Sequence, residues 1–301
     1  MFCLGMKSTP SLAVAIIGMS ALSLASEVDV YLLAGQSNMQ GLGQTNELTA
    51  EQKAPPKDLL YWNGKAFEPL IPGVTVTAGK NEFGPEIGFA AEISKNGRKA
   101  CIIKDYNSGK PLDAGWNDQK WIGDPPAPNR ITFYPGTAAD DPNQGTLYKN
   151  GMLPRFKAGL AAITIAGDIP HIRALVWMQG EADSKNPVSA ARYAADLKNL
   201  RDRIASDLGL ATPTTLPLVF GQVLPYEPAL PRFICREVLR AQQAAADMKS
   251  GKPEAIPFCR MVSTDGYPLR PDTVHYTTAG QFSLGKAFAT AVDEFSAKPA
   301  K

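Results

Sequence analysis

Short apolar runs rich in β-branched residues alternate along this chain with longer stretches of helical periodicity, and that rhythm limits the folds open to it. Val28–Ala34, Ala100–Lys104, Ile172–Met178, Leu216–Val223 and Arg260–Ser263 read as five strands. Between them, Glu86–Ser94, Leu153–Ile165, Val188–Asp207, Arg232–Lys249 and Thr278–Phe295 read as helices. Pro154 and Pro231 fall where a first helical turn accepts proline, and Gly97, Gly167 and Gly209 follow helix ends as caps. Strands that alternate with helices in this way form a parallel sheet buried on both faces. The expected fold class is therefore α/β: a three-layer α/β/α sandwich around a five-stranded parallel sheet.

One segment breaks the rhythm. Residues from about 106 to 151 are rich in Gly, Pro, Asn and Asp, and carry Trp116, Trp121 and Phe133. Long loops without regular structure are usually functional or mobile, and this one follows a strand's carboxyl end, where α/β folds bind ligands. The sequence shows no internal repeat and no linker, so residues 26–301 are expected to form a single domain. The segment before it has the build of a signal peptide. Lys7 precedes an apolar run, Ser11 to Ala25, that is shorter than the ~20 residues a bilayer span takes. Ser23-Leu24-Ala25 supplies the small-x-small pattern for cleavage near Ala25. Export to the periplasm or the exterior is expected, with no membrane attachment after cleavage.

Charge and cysteine content narrow the function. Lys plus Arg number 31 against 29 Asp plus Glu, without a basic cluster, which argues against a nucleic-acid partner. Cleavage would leave Cys101, Cys235 and Cys259. An odd number permits one internal disulfide at most, Cys235–Cys259, or three buried thiols.

The chain has only two histidines, so a histidine base is His171 or His275. His171 begins a strand, at the end opposite an α/β active site, and reads as structural. His275 follows the last strand in Pro271-Asp272-Thr273-Val274-His275. Asp272, three residues earlier, is within one turn of reaching the imidazole Nδ1, which would fix its tautomer. Ser37 lies in Gly35-Gln36-Ser37-Asn38-Met39, a strand-to-helix turn. Such a serine has an accessible hydroxyl and an amide free at a helix N-terminus, although a helix-capping serine shares that local sequence. Phe83-Gly84-Pro85-Glu86 and Trp177-Met178-Gln179-Gly180-Glu181 supply two further donors: the Gly84 amide and the Gln179 side chain.

In this order the blocks resemble the SGNH hydrolases, whose fold is flavodoxin-like. They are most similar to the branch containing sialate O-acetylesterases and the acetylxylan esterases of carbohydrate esterase family 6. GQSNM, WMQGEAD, DTVHYTTAGQ and the stretch Arg236–Gln242 carry the resemblance, which runs from about Val28 to Phe295. It implies Ser37 as nucleophile, His275 as general base and acid, and Asp272 as its orienting carboxylate. It also implies an oxyanion hole of the Ser37 and Gly84 amides and the Gln179 side chain. Glu181 is a second carboxylate that could share the orienting role, or could bond loop amides instead. Gln36, Asn38, Tyr106, Asn107, Ser108 and Trp116 are candidates for contacting substrate. Trp116 and Trp121 would either stack on sugar rings or pin the long loop. The implied activity is that of a secreted enzyme hydrolysing acetyl esters on a polysaccharide or oligosaccharide, acetylxylan-like, with no cofactor. With the two histidines in separate blocks, no metal site is expected. The alternatives are a sialate O-acetylesterase, an esterase on a non-carbohydrate ester, and a non-catalytic carbohydrate-binding domain.

Overall fold

The computed structural model describes Met1 and residues 25–75, 78–124, 127–227 and 230–296. The signal peptide expected over residues 1–25 therefore lies, apart from its two ends, outside the described residues. No described helix is long and apolar enough to cross a membrane.

The main sheet has seven strands: Glu27–Gly35 (β1), Leu59–Trp62 (β2), Phe67–Pro69 (β3), Ala100–Tyr106 (β4), Ile169–Met178 (β5), Leu218–Gly221 (β6) and Cys259–Val262 (β7). Their spatial order is β7-β6-β5-β1-β4-β2-β3. All neighbours are parallel except the edge pair β2–β3. The five strands expected from sequence form the parallel core. Taken alone, they run in the order second, first, third, fourth, fifth, the flavodoxin-like arrangement.

β2 and β3 are additions to the expected five. They form a hairpin around Asn63-Gly64, a turn pair that favours positive φ. The Asn63 Oδ1 accepts from the amides of Lys65 and Ala66, and Gly64 sits at φ 102°. At three and four residues, with β3 half exposed, both strands lack the long apolar signature of the central ones.

β1 runs through the middle of the sheet, between β5 and β4. Residues 28 to 34 are all buried, which explains why this strand is apolar throughout instead of alternating. Asp29 is the exception, and Arg98 and Arg173 pair with it at the strand's start.

Helices cover both faces. Glu86–Ile93 (α2) and Thr278–Ser296 (α6) pack together on one face, where Phe288 meets β6. Leu153–Ile165 (α3), Pro187–Asp207 (α4) and Arg236–Ala246 (α5) cover the other, where the Trp177 indole donates to the Tyr193 hydroxyl. A single turn, Ser37–Gln40 (α1), follows β1. Gly97, Gly167 and Gly209 are left-handed beyond their helices, as expected of caps. The helix expected over Arg232–Lys249 is shorter at both ends. Pro231 lies in a turn before it, and Asp247 stops it by turning its carboxylate to the amides of Lys249 and Met261. Cys101, Cys235 and Cys259 are free buried thiols, so the Cys235–Cys259 disulfide does not form.

α2 and α6 touch through glycine. A Cβ at Gly88 would stand 2.0 Å from the Phe282 carbonyl oxygen, and one at Gly285 would stand 1.9 Å from that of Pro85. Gly88→Ala should force the helices apart and lower the unfolding free energy by about 1–3 kcal/mol. A denaturant melt checks this, and a midpoint equal to that of the parent would contradict the close approach.

Candidate active site

β1 ends at Gly35, and a side chain there would collide with the β5 main chain, since a Cβ would lie 2.1 Å from the Met178 carbonyl oxygen. The next amide, Gln36, donates to that same carbonyl at 2.9 Å. This contact turns the chain sharply out of the sheet into α1, whose first residue is Ser37. The Ser37 side chain thus emerges at the carboxyl edge of the central strand, and its amide has no acceptor among the described residues.

His275 comes from the loop between β7 and α6. Its Nε2 lies 2.9 Å from Ser37 Oγ, and its Nδ1 lies 2.7 Å from Asp272 Oδ2. The other Asp272 oxygen accepts from the amides of Val274 and His275, both at 2.9 Å. The D-x-x-H spacing is therefore a closed local turn, completed by Thr273 at φ 58°. A β-branched residue is strained there by roughly 1–3 kcal/mol. Burial pushes the Asp272 carboxyl up, but the His275 ring and the two amides outweigh it and hold it below the usual carboxylate range. The aspartate stays ionised beside the imidazole. His171, the other histidine, lies beside Glu27 at the amino end of β5, across the sheet from this edge.

The donors expected of an oxyanion hole are arranged differently. The Gly84 amide donates at 2.8 Å to the Glu86 carboxylate, and Glu86 in turn pairs with Lys104. Both of these charged side chains are wholly buried, and Lys104 also donates to the Gln40 carbonyl at the end of α1. Burial pushes the Lys104 ammonium down, and Glu86 opposes that. The Gln179 carboxamide points into the protein. Its Nε2 donates to Asp183 and, at 3.0 Å, to the Lys110 carbonyl, while its Oε1 accepts from Tyr193 at 3.1 Å. Of the three expected donors, only the Ser37 amide is unengaged.

Several residues expected at the substrate surface have other tasks. Asn38 is buried and bonds Glu181 and the histidine loop. Gln36 is also buried, with its Oε1 accepting from the Ala182 amide at 3.4 Å. Ser108 bonds the Gln40 side chain, and the Asn107 amide donates to the Gly35 carbonyl. Tyr106 is half buried, with the Lys104 ammonium 5.2 Å from its ring centre. Trp116 is buried and meets Trp121 edge to face at 5.9 Å, so this pair pins the loop.

The loop as a whole is fastened down. Phe133 is fully buried against Trp177. Asp183 collects the amides of Leu112 and Asp113, the Ser189 hydroxyl and the Gln179 side chain. Burial raises the Asp183 carboxyl to about 6 against those donors. Arg192 pairs with the buried Asp113 and with Asp124. The sequence reading missed Lys104, Glu86 and Arg192. The available signal was a lysine ending an apolar strand and a glutamate two residues after a glycine.

Residues 27–294 match the family described as carbohydrate esterase, sialic acid-specific acetylesterase. The chain belongs to this family. It is a carboxylic ester hydrolase, and the SGNH-type fold and the sialate O-acetylesterase branch expected from its motifs agree with that membership. Solved structures share the fold. A protein from Arabidopsis thaliana, 18% identical, superposes with a TM-score of 0.63 over 88% of this chain and 98% of its own. A carbohydrate acetylesterase from Xanthomonas citri, also 18% identical, gives 0.58 over 89% of this chain and 56% of its own. NanS, 13% identical, gives 0.57 over 91% and 99%. No curated protein matches the sequence.

Arg192→Met should free the long loop. It leaves the Asp113 charge buried and unpaired, and the loss should be about 2 kcal/mol, less than for a fully buried pair because Arg192 is partly in solvent. Limited proteolysis should then cut within residues 106–151; an unaltered melt and digestion pattern would contradict this anchoring.

Proposed function

We propose that the protein is an exported carbohydrate O-acetylesterase with Ser37 as nucleophile, His275 as general base and acid, and Asp272 as the residue that orients His275. The observation that carries this reading is the unbroken hydrogen-bonded line from Asp272 through His275 to Ser37. An alcohol is a weak nucleophile until a base takes its proton, and Nε2 is within reach to do so. The Ser37 oxygen attacks the ester carbonyl, and His275 then protonates the departing sugar oxygen. Water, activated by the same imidazole, hydrolyses the acetyl-enzyme and releases acetate. Asp272 favours the imidazolium formed at each stage.

The oxyanion role is assigned first to the Ser37 amide, at the start of α1. An added donor of this kind is worth on the order of 3 kcal/mol in the transition state. For Gly84 or Gln179 to contribute, each would have to exchange its present partner, Glu86 or Asp183, for the substrate. Neither a cofactor nor a metal enters this scheme.

An acetylated glycan is the substrate class we favour, with acetylxylan as the example to test; the similar Xanthomonas citri protein is a carbohydrate acetylesterase. The family's description favours a second reading, O-acetylated sialic acid. Acetate release from acetylated xylan compared with O-acetylated sialic acid separates the two, with the higher kcat/KM expected on xylan. The apolar leader ending near Ala25 supports export, and residues 26–301 serve as one catalytic unit.

Ser37→Ala should keep the fold and abolish hydrolysis of 4-nitrophenyl acetate, and parental turnover in that variant would refute the nucleophile. Asp272→Asn should lower kcat by about 10⁴ through the wrong tautomer, whereas a loss under tenfold would remove Asp272 from the mechanism.

A further inference from the structure

Asn38 adjoins Ser37 in sequence, yet its carboxamide serves the histidine loop. Nδ2 donates to the Val274 carbonyl at 3.0 Å and to Glu181 Oε1 at 2.7 Å, and Oδ1 accepts from the Tyr276 amide at 3.4 Å. Val274 and Tyr276 are the residues on either side of His275. A carbonyl and a carboxylate can only accept, so the NH₂ must face them and the orientation of the amide is settled by chemistry.

Glu181 is 2% exposed, and its Oε2 has no hydrogen-bond partner among the described residues. A buried carboxylate with an orphaned oxygen is unfavourable and needs a reason. Direct contact with the imidazole does not supply one, because Asp272 holds Nδ1 and Ser37 holds Nε2. What remains beyond its own main-chain amide is the bond to Asn38. That bond occupies one amide hydrogen and leaves the other aimed at Val274.

We propose that Glu181 and Asn38 are positioning residues: Glu181, as a hydrogen-bond acceptor, sets the Asn38 carboxamide, which clamps the main chain on both sides of His275 and holds Nε2 against Ser37. The inference rests on the roles proposed above for Ser37 and His275. It gives Glu181 no electrostatic role on the ring. A glutamine at this position keeps an acceptor oxygen for Asn38 and removes the charge, whereas an alanine removes both.

The test is kcat and KM for 4-nitrophenyl acetate across pH, on the full chain and its Glu181→Gln, Glu181→Ala, Asn38→Ala and Asn38→Asp variants, with thermal melts. Misplacing a catalytic group by about 1 Å is worth up to ~10²-fold. Glu181→Ala and Asn38→Ala should therefore lose roughly 10- to 100-fold in kcat with KM within about twofold. Glu181→Gln should recover most of that loss, with the pH profile of the parent. Asn38→Asp keeps the size of the side chain, but the one proton it would share with the Glu181 carboxylate leaves it none to give Val274, so it should match Asn38→Ala; it decides the point if an alanine variant fails to fold. The proposal is overturned if Glu181→Gln is as impaired as Glu181→Ala, since the charge would then matter, or if Asn38→Asp retains parental kcat. Turnover in Ser37→Ala would sink the esterase reading itself. A dead Ser37→Ala beside an unimpaired Asn38→Asp would sink only the clamp.

Discussion

The candidate site depends on where β1 sits. As the central strand it is buried on both faces, and its last residue presses against the Met178 carbonyl so closely that only glycine fits. The chain has to leave the sheet there, and the serine that follows stands at the rim with its amide unpaired. A histidine 238 residues away completes the contact. The loop that bears it is shaped by its own aspartate, which gathers two amides with one oxygen and the ring with the other. The Ser37 turn is set by the contact of β1 with β5 and the His275 turn by Asp272, and a hydrogen bond of 2.9 Å joins their reactive atoms.

Around that junction the protein buries several charged side chains. Lys104 with Glu86 lies beneath α1, Glu181 lies behind the histidine loop, and Asp183 gathers the start of the long loop. Apart from the Lys104–Glu86 pair and the orphaned Glu181 Oε2, their partners are mostly main-chain or amide groups, the arrangement that holds a backbone in one geometry. These groups are weak contributors to stability, since apolar replacements of buried ion pairs are often neutral or better. Their common property is position: all stand behind elements that bear Ser37, His275 or the loop at the rim. The Gly84 amide and the Gln179 side chain are drawn into this framework instead of facing solvent.

Much of this was legible in the sequence, for identifiable reasons. β1, β4 and β6 show as largely apolar runs because they are buried on both faces, β7 at the sheet edge shows mainly by its place in the rhythm, and Pro154 and Gly167 mark the ends of α3. The hairpin of β2 and β3 was overlooked, although Asn63-Gly64 signals it, because strands this short carry no periodicity. Ser37, Asp272 and His275 stand out through the resemblance of their blocks to the SGNH hydrolases, because a capping serine or a lone D-x-x-H also suits other readings. The side-chain directions of Glu86, Gln179 and Asn38 could not be read, because they depend on partners such as Lys104, Lys110 and Glu181 that lie tens to hundreds of residues away. Trp116 illustrates the same limit: an aromatic in a polar loop suits a sugar face or a hydrophobic anchor equally, and only burial decides.

The central claim is that Ser37 is activated by the histidine beside it. Reaction of the full chain with a fluorophosphonate, followed by peptide mass mapping, tests this most directly. One phosphonyl adduct is expected, on the peptide containing Ser37, formed far more slowly when His275 is replaced by alanine. An adduct on another residue, or equal labelling without His275, would contradict it.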